Sequence, residues 1–373
     1  MVRLVDEEAT APRGSGGLVV GNYCHDVILR DGRIVGESLG GAASFVSNVF
    51  DGLSLDCSYV AKVGIDFAYS VTHPPRAFCS AALTTVFHAH FDGDAERLLR
   101  CVNTCEPIFP SDLPAGQFDF GLAVGVAGEI LPDTLARMLD LCRLVFVDVQ
   151  ALIRTFDPID GTVRLVPLKD SEFWHLVPRI GFLKASAEEA PFVDVQETRK
   201  WCCVVVTDGE DGCRVYTKDE ELRIPPFPTV QIDPTGAGDS FLGGFVAGLV
   251  RGLSMPDAAL LGNFFGSLTV RQIGIPRFIP KMFQRVKDRL ERKGLDSRRG
   301  AGATVLQNSV EFEEFRKCLS EATRLESTTD QEIVDDRHLD IENFSKVETG
   351  VNQDNHSHRQ ASKLLVSSVF DAA

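Results

Sequence analysis

Short apolar runs of strand length recur along the chain: Ser58 to Val63, Phe120 to Val126, Leu144 to Val149, Gly181 to Lys184 and Val204 to Thr207. Stretches with apolar residues at helical spacing, such as Pro132 to Cys142, separate several of them. A strand covered on both faces reads as a continuous apolar run, so this alternation predicts βαβ units and a sheet with helices on either side. Leu18-Val19-Val20 is the first strand expected. The run Val27 to Val35 then carries Asp31-Gly32 between two apolar segments, a strong short-range signal for a hairpin. Thr84 to Phe91 alternates as a further strand, with His88 and His90 on one face. Two glycines, Gly40 and Gly41, precede small residues and then helical spacing, so a loop opening a helix is expected there. Asp239 to Leu253 and Pro256 to Ile273 read as closing helices, and Lys281 to Lys293 as an amphipathic basic one.

The pattern changes near Gly294. Asp296 to Gly302 is polar and glycine-rich, and Ser327 to Gln360 is rich in Asp, Glu, Ser, Thr and Asn, so a largely disordered tail over 295–373 is expected. Within it Val310, Phe312, Phe315, Leu319, Ala322 and Leu325 fall at helical spacing, which predicts a short helix over 309–326, either docked on the core or binding a partner. Residues 1–17 are expected to be flexible. They carry Asp6, Glu7 and Glu8 and lack the apolar or Arg/Ser-rich character of an import signal. No apolar segment is long enough to cross a bilayer, and a cytosolic protein is expected.

Charge narrows the candidate chemistry. The formal net charge of −15 gives no general attraction for a phosphate backbone, so nucleic acid is not an expected partner. An anionic ligand would have to be held by backbone amides, a helix N-terminus or a metal ion. The ten cysteines are scattered in apolar surroundings without a C-x-x-C pair and read as small core residues of a reducing compartment.

Asp233-Pro234-Thr235-Gly236-Ala237-Gly238-Asp239-Ser240-Phe241 carries the sharpest chemical signal. Small residues at a helix start let the backbone approach a ligand closely and turn its amides toward one anion. A carboxylate at the same place would repel that anion, unless it accepts the proton of a hydroxyl that attacks it. Aspartate is also a good N-cap, but a position after the Gly-Ala-Gly turn favours the base.

That string resembles the C-terminal signature of the ribokinase-like, or pfkB, carbohydrate kinases. Gly40-Gly41-Ala42-Ala43 resembles their N-terminal di-glycine motif and Lys62-Val63-Gly64-Ile65-Asp66 a short K-V-G-x-D element. Thr207-Asp208-Gly209-Glu210-Asp211-Gly212 resembles the turn near the nucleotide, and Asn263 to Gly274 the helix beside the adenine. The match runs in family order over about 18–294. It implies a three-layer α/β/α sandwich with a small β lid, whose strands lie within about 27–40 and 84–92, and phosphoryl transfer from ATP with Mg²⁺ and, in some members, a monovalent cation. By the same resemblance Asp239 is the base and Gly236, Ala237 and Gly238 form the anion hole. Ser186, Thr207, Gly209, Gly212 and Asn263 attend the nucleotide, Asp26, Gly40, Gly41 and Glu129 face the substrate, and Glu189 orders metal-bound water. For Asp26 the competing role is to open a hairpin, and for Glu129 to be an exposed loop acid. Arg154 is expected to pair structurally with a carboxylate. Two departures stand out: Ser186-Ala187-Glu188-Glu189 replaces the usual Asn-x-x-Glu, and Phe45 stands where an asparagine is common.

The residues themselves call for a polyol or sugar, because a rim of hydroxyls needs several acceptors. The strings around Val19 to Val27, Leu39 to Phe45 and Gly125 to Pro132 resemble the plant branch of the family that acts on myo-inositol, which implies phosphorylation of its 3-hydroxyl on the way to phytate. Fructose, ribose and nucleosides are the rival substrates, and a silent kinase-like scaffold is the rival class.

Overall fold

The computed structural model describes residues 16–79, 81–91, 98–299 and 310–323. The chain starts with β1 (Gly17–Val20), β2 (Cys24–Arg30), β3 (Arg33–Gly40) and α1 (Ala42–Gly52). Next come β4 (Cys57–Val60), β5 (Lys62–Gly64), β6 (Ala77–Cys79), β7 (Thr85–Phe91) and β8 (Leu98–Asn103). β9 (Phe120–Ala123), α2 (Pro132–Leu141), β10 (Val145–Asp148), α3 (Gln150–Ile153), β11 (Arg154–Phe156) and β12 (Val163–Leu165) follow. Then come β13 (Phe182–Ser186), α4 (Ala190–Val193), α5 (Val195–Thr198), β14 (Cys203–Thr207), β15 (Cys213–Tyr216) and β16 (Glu221–Ile224). Three helices, α6 (Ala237–Val250), α7 (Met255–Thr269) and α8 (Pro280–Arg299), precede a last helix, α9, over 310–323.

Eight strands form the central sheet in the order β16-β15-β14-β13-β10-β9-β1-β4. The six from β14 to β4 run parallel; at one edge β15 runs antiparallel to β14, and β16 antiparallel to β15. Because strand side chains alternate, each strand feeds two cores. Val19, Leu122, Phe146, Phe182 and Val205 pack with α1, α6, α7 and α8, whereas Leu18, Ala123, Val147, Leu183 and Val204 pack with α2 on the other face. The expected three-layer sandwich is present. A second sheet, β3-β2-β7-β8, forms the lid. Its β2–β3 hairpin turns at Asp31 (φ 49°) and Gly32 (φ 72°), the left-handed pair that an Asp-Gly hairpin turn requires.

Two expectations change. The run Ser58 to Val63 is two strands, β4 in the central sheet and β5 in a ribbon with β6, because the buried Asn22 side chain accepts the Lys62 N–H (2.7 Å) and takes the chain out of the ladder there. The folded body also continues past 294. In α9 Phe315, Leu319 and Ala322 are fully buried in the main core, Arg285 and Arg289 of α8 face Glu321 and Glu314 (2.6 and 3.7 Å), and the Lys293 ammonium lies 5.1 Å above the Phe315 ring. Charged partners on two helices flank an apolar seam, so the island that the sequence marks at helical spacing docks on the core. The expected flexible N-terminus, apart from its last two residues, and the expected disordered stretch Ser327 to Gln360 lie outside the described residues. Among those residues no helix is long and apolar enough to cross a membrane.

Candidate active site

A cleft of about 1260 Å³ opens at the carboxyl ends of the parallel strands, between the sandwich and the lid. Its position follows from topology: strand ends and helix starts converge there and present loop backbone and helix N-termini. Lid residues Asp26, Ile28, Phe87 and Ala89 line one side, and the start of α6 lines the other.

The α6 start is built by two glycines that no other residue can replace without movement. Gly236 is the N-cap, with φ 76°, and a Cβ on it would lie 2.1 Å from the Phe45 ring. A Cβ on Gly238 would lie 2.7 Å from the Lys184 ammonium nitrogen. The turn is thus packed against an aromatic ring and a cation; the Ala237 N–H donates to the Pro234 carbonyl (3.2 Å), so the Gly236 and Gly238 N–H groups are the ones the turn can offer at the helix's positive end. Asp239 stands in the first turn of α6, three residues after the cap, and its side chain does not cap the helix. One of its carboxylate oxygens, Oδ1, accepts a hydrogen bond from Gln150 Nε2 (3.2 Å). Burial raises its pKa above the ordinary aspartate value, while the charges of Lys184 and Arg154 and the Gln150 hydrogen bond pull it back. A carboxylate moved toward neutral pH is a better proton acceptor than an ordinary one.

Beneath Asp239 lies an ionic cluster that the sequence reading missed. Asp148 and Lys184 are register partners on β10 and β13, so their side chains emerge on the same face, and Lys184 Nζ meets Asp148 Oδ2 at 3.0 Å. Both are buried. Burial alone would lower the Lys184 pKa, but the carboxylates of Asp148, Glu189 and Asp239 outweigh it and hold the ammonium charged. One signal was available: a lysine inside Phe182-Leu183-Lys184-Ala185-Ser186, a run otherwise fit for a strand covered on both faces.

Ser186 and Thr207 are also register partners, at the ends of β13 and β14, and both line the cleft. Ser186 and Glu189 close a reciprocal pair: the Ser186 N–H donates to Glu189 Oε2 (2.8 Å), and the Glu189 N–H donates to Ser186 Oγ (3.2 Å). Burial would raise the Glu189 pKa, yet Lys184 and Arg154 hold it below the usual carboxylate range. Arg154 lies 3.9 Å from Glu189 and lines the cleft, so the carboxylate pairing expected of it is present, at the site itself. The Thr207 to Gly212 turn is fastened by Arg214, which donates twice to Asp208 (2.7 and 2.6 Å), and its Gly209 and Gly212 have φ 60° and 89°. Asn263, midway along α7, spends its amide on the carbonyls of Ile224 and Pro225 (3.2 and 2.9 Å) and so shapes the wall of the cleft.

On the lid, a Cβ at Gly40 would lie 2.0 Å from an Asp26 carboxylate oxygen, so Gly40 supplies room for that carboxylate. Gly41, with φ 85°, passes the chain into α1. Asp26 and Asp239 line the same cleft from opposite sides.

Glu129 is not in the cleft wall. It is 2% exposed, and its two oxygens accept the backbone N–H groups of Asn22 (3.0 Å), Val126 (3.1 and 3.0 Å) and Ala127 (2.7 Å). It is therefore neither a substrate-facing acid nor an exposed loop acid: Gly128, with φ 76°, turns its side chain inward onto amides that would otherwise be buried without partners. His88 and His90 lie on β7 with rings 6.0 Å apart, and the described residues contain no cluster of His, Cys, Asp and Glu suited to a metal ion.

Residues 184–282 match the model of the pfkB family carbohydrate kinases. The chain is 58% identical over 282 residues to an inositol 3-kinase of Arabidopsis thaliana, covering 74% of this chain and 80% of that one. It is 52% identical over 353 residues to an inositol 3-kinase of Oryza sativa subsp. japonica, covering 87% and 88%. Among solved structures, a pyrophosphate-dependent kinase of the ribokinase family complexed with a pyrophosphate analogue and myo-inositol superposes with a TM-score of 0.58 at 15% identity, covering 70% of this chain and 97% of that one. A Methanocaldococcus jannaschii nucleoside kinase superposes with a TM-score of 0.55 at 20% identity over 75% and 99%. At these identities the superpositions speak for the fold alone, and the sequence relatives carry the assignment: the chain belongs to the pfkB family of carbohydrate kinases.

Proposed function

We propose that this protein transfers the γ-phosphoryl group of ATP to the 3-hydroxyl of myo-inositol. The observation that carries this reading is the placement of Asp239: a half-buried carboxylate with a raised pKa, in the first turn of a helix whose Gly236–Gly238 turn lines the same cleft as Asp26. The attacking hydroxyl gives its proton to Asp239 as its oxygen bonds to phosphorus, the bridging P–O bond breaks, and its electron pair leaves on ADP. The amides of the turn offset charge that builds on the moving phosphoryl group. The relatives named inositol 3-kinase direct the choice of polyol.

ATP suits the length of the cleft, which continues past the phosphate turn along Pro226, Phe227, Asn263, Ser267 and Val270, a wall of mixed backbone and apolar surface fit for a planar base. A divalent cation is normally held on nucleotide phosphates by one or two carboxylates and several waters. Glu189 meets that need, being an ionised carboxylate at the cleft wall, and Mg²⁺ there would screen the phosphate charges. The donor set for a monovalent cation is also present: Asp233 Oδ2 and Thr235 Oγ1 are buried without a hydrogen-bond partner, directly before the anion turn. The buried free thiols suit a reducing compartment such as the cytosol.

A steady-state panel of myo-inositol, fructose, ribose and a nucleoside, each with ATP and with pyrophosphate, tests the reading. The highest kcat/KM is expected for myo-inositol with ATP, with NMR placing the phosphate on the 3-position. Preference for another acceptor would refute the inositol assignment, and preference for pyrophosphate the donor. Asp26→Ala is expected to raise the KM for myo-inositol about ten- to a hundredfold, the cost of losing a charged hydrogen-bond partner, and to leave that for ATP nearly unchanged. Equal effects on both constants would make Asp26 a structural residue.

A further inference from the structure

We propose that Lys184 is a positioning residue for phosphoryl transfer: clamped by Asp148 beneath Gly238, its ammonium is the fixed counter-charge that keeps the Asp239 carboxylate ionised and available to the substrate. This rests on the role proposed for Asp239 and adds the device that makes such a base workable. A carboxylate half-withdrawn from water at the floor of a cleft, as Asp239 is, is driven toward its neutral, useless form. A cation that never leaves opposes this, and Lys184 is placed to be one. Its side chain is 8% exposed, its Nζ lies 3.0 Å from Asp148 Oδ2, and a Cβ at Gly238 would lie 2.7 Å from that Nζ.

The groups around Asp239 come from several elements. Gln150 of α3 donates a hydrogen bond to it; Arg154 of β11 and Lys184 of β13 are the cations; Asp148 of β10 and Glu189, just beyond β13, are the other acids; and burial keeps the nearby Cys24 thiol of β2 neutral. Both cations line the cleft, but Arg154 is the more exposed, 18% against 8%, so water and bound phosphates screen it more. Lys184 is less exposed and is tied down by Asp148, so it is the steadier counter-charge for Asp239.

The sign follows directly. Asp239 accepts a proton only while ionised, so kcat/KM falls as pH drops through its raised pKa. Replacing Lys184 by a neutral residue removes an opposing charge and moves that acid limb to higher pH. Replacing Asp148 by Asn keeps the ammonium and removes a negative neighbour, which moves the limb to lower pH.

The experiment follows the Asp239 carboxyl carbon by NMR in protein labelled with ¹³C-aspartate, its signal identified by its loss in Asp239→Asn, alongside kcat/KM against pH. In Lys184→Met the titration midpoint is expected to rise by about one to two units, as for loss of a nearby opposite charge, with the acid limb following it and the KM for ATP within about twofold of the parent. In Asp148→Asn the midpoint is expected to fall. An unmoved midpoint in Lys184→Met overturns the proposal, and so does an unmoved midpoint joined to a large rise in the KM for ATP, which would make Lys184 a nucleotide contact. Should Lys184→Met fail to fold, Asp148→Asn decides: a midpoint that stays or rises overturns the proposal. The NMR reading requires no substrate, so failure of the substrate panel and failure of this inference are separate results.

Discussion

Asp239→Asn is expected to bind ATP normally and to turn over about two to four orders of magnitude more slowly than the parent, the usual contribution of a positioned base. Asparagine keeps the shape and still accepts the Gln150 hydrogen bond through its amide oxygen, so the helix start and the Gly236–Gly238 turn remain in place. What it loses is proton affinity. The substitution also removes a negative charge beside Lys184, which would favour an anionic nucleotide; a KM for ATP equal to or below the parent's is therefore part of the expectation. Titration calorimetry with ATP and saturating-substrate turnover give the two numbers. Turnover near the parental rate would show that the hydroxyl loses its proton without Asp239.

Truncation after Arg299 is expected to cost most of the protein's stability, whereas truncation after Glu326 costs little. The shorter chain loses α9 and with it Phe315, Leu319 and Ala322, each fully buried in the main core. A single core Phe→Ala change costs about 3–5 kcal/mol, and a domain has about 5–15 kcal/mol to lose. It also leaves Met282, Val286 and Leu290 of α8, now buried, facing water. Thermal unfolding of the two truncated chains and of Phe315→Ala separates the possibilities. A chain ending at Arg299 that melts with the parent would show that α9 contributes no core. The boundary near Gly294 suggested by the family match is thus the end of a motif pattern, and the described core continues through α9.

The sandwich was legible because parallel strands buried on both faces leave continuous apolar runs, as in Val204 to Thr207, and the lid because Asp31-Gly32 is a turn with few alternatives. The glycine turn was legible in part: Gly236 meets a local need, a left-handed φ of 76°, whereas the crowding by Phe45 and Lys184 comes from residues far away in sequence. Lys184 and Asp148 did not show, since they are 36 residues apart and meet only through the register of β10 and β13. Glu129 misled for the complementary reason. An acid ending a strand looks like a surface residue until the fold brings the Asn22 amide, 107 residues away, against it. The apolar spacing over Pro256 to Ile273 predicts a helix to Ile273, but α7 ends at Thr269 and the chain turns at Gly274, with φ 76°.

The Asn22 corner sets the mechanics of the lid. β1 of the sandwich becomes β2 of the lid across Gly21, Asn22 and Tyr23, and this junction is pinned on several sides: the Gly21 N–H to Val60, the Asn22 N–H to Glu129, and the Asn22 side chain to Lys62 and Glu106. A strand anchored at one end is a lever. Asp26 stands four residues from the pivot, about 13 Å along an extended chain, while the Asp31-Gly32 tip stands about 30 Å away. A rotation of about 10° would then carry the tip roughly 5 Å and Asp26 only about 2 Å. Any opening would be spent at the tip, and the Asp26 carboxylate in the cleft wall would scarcely travel.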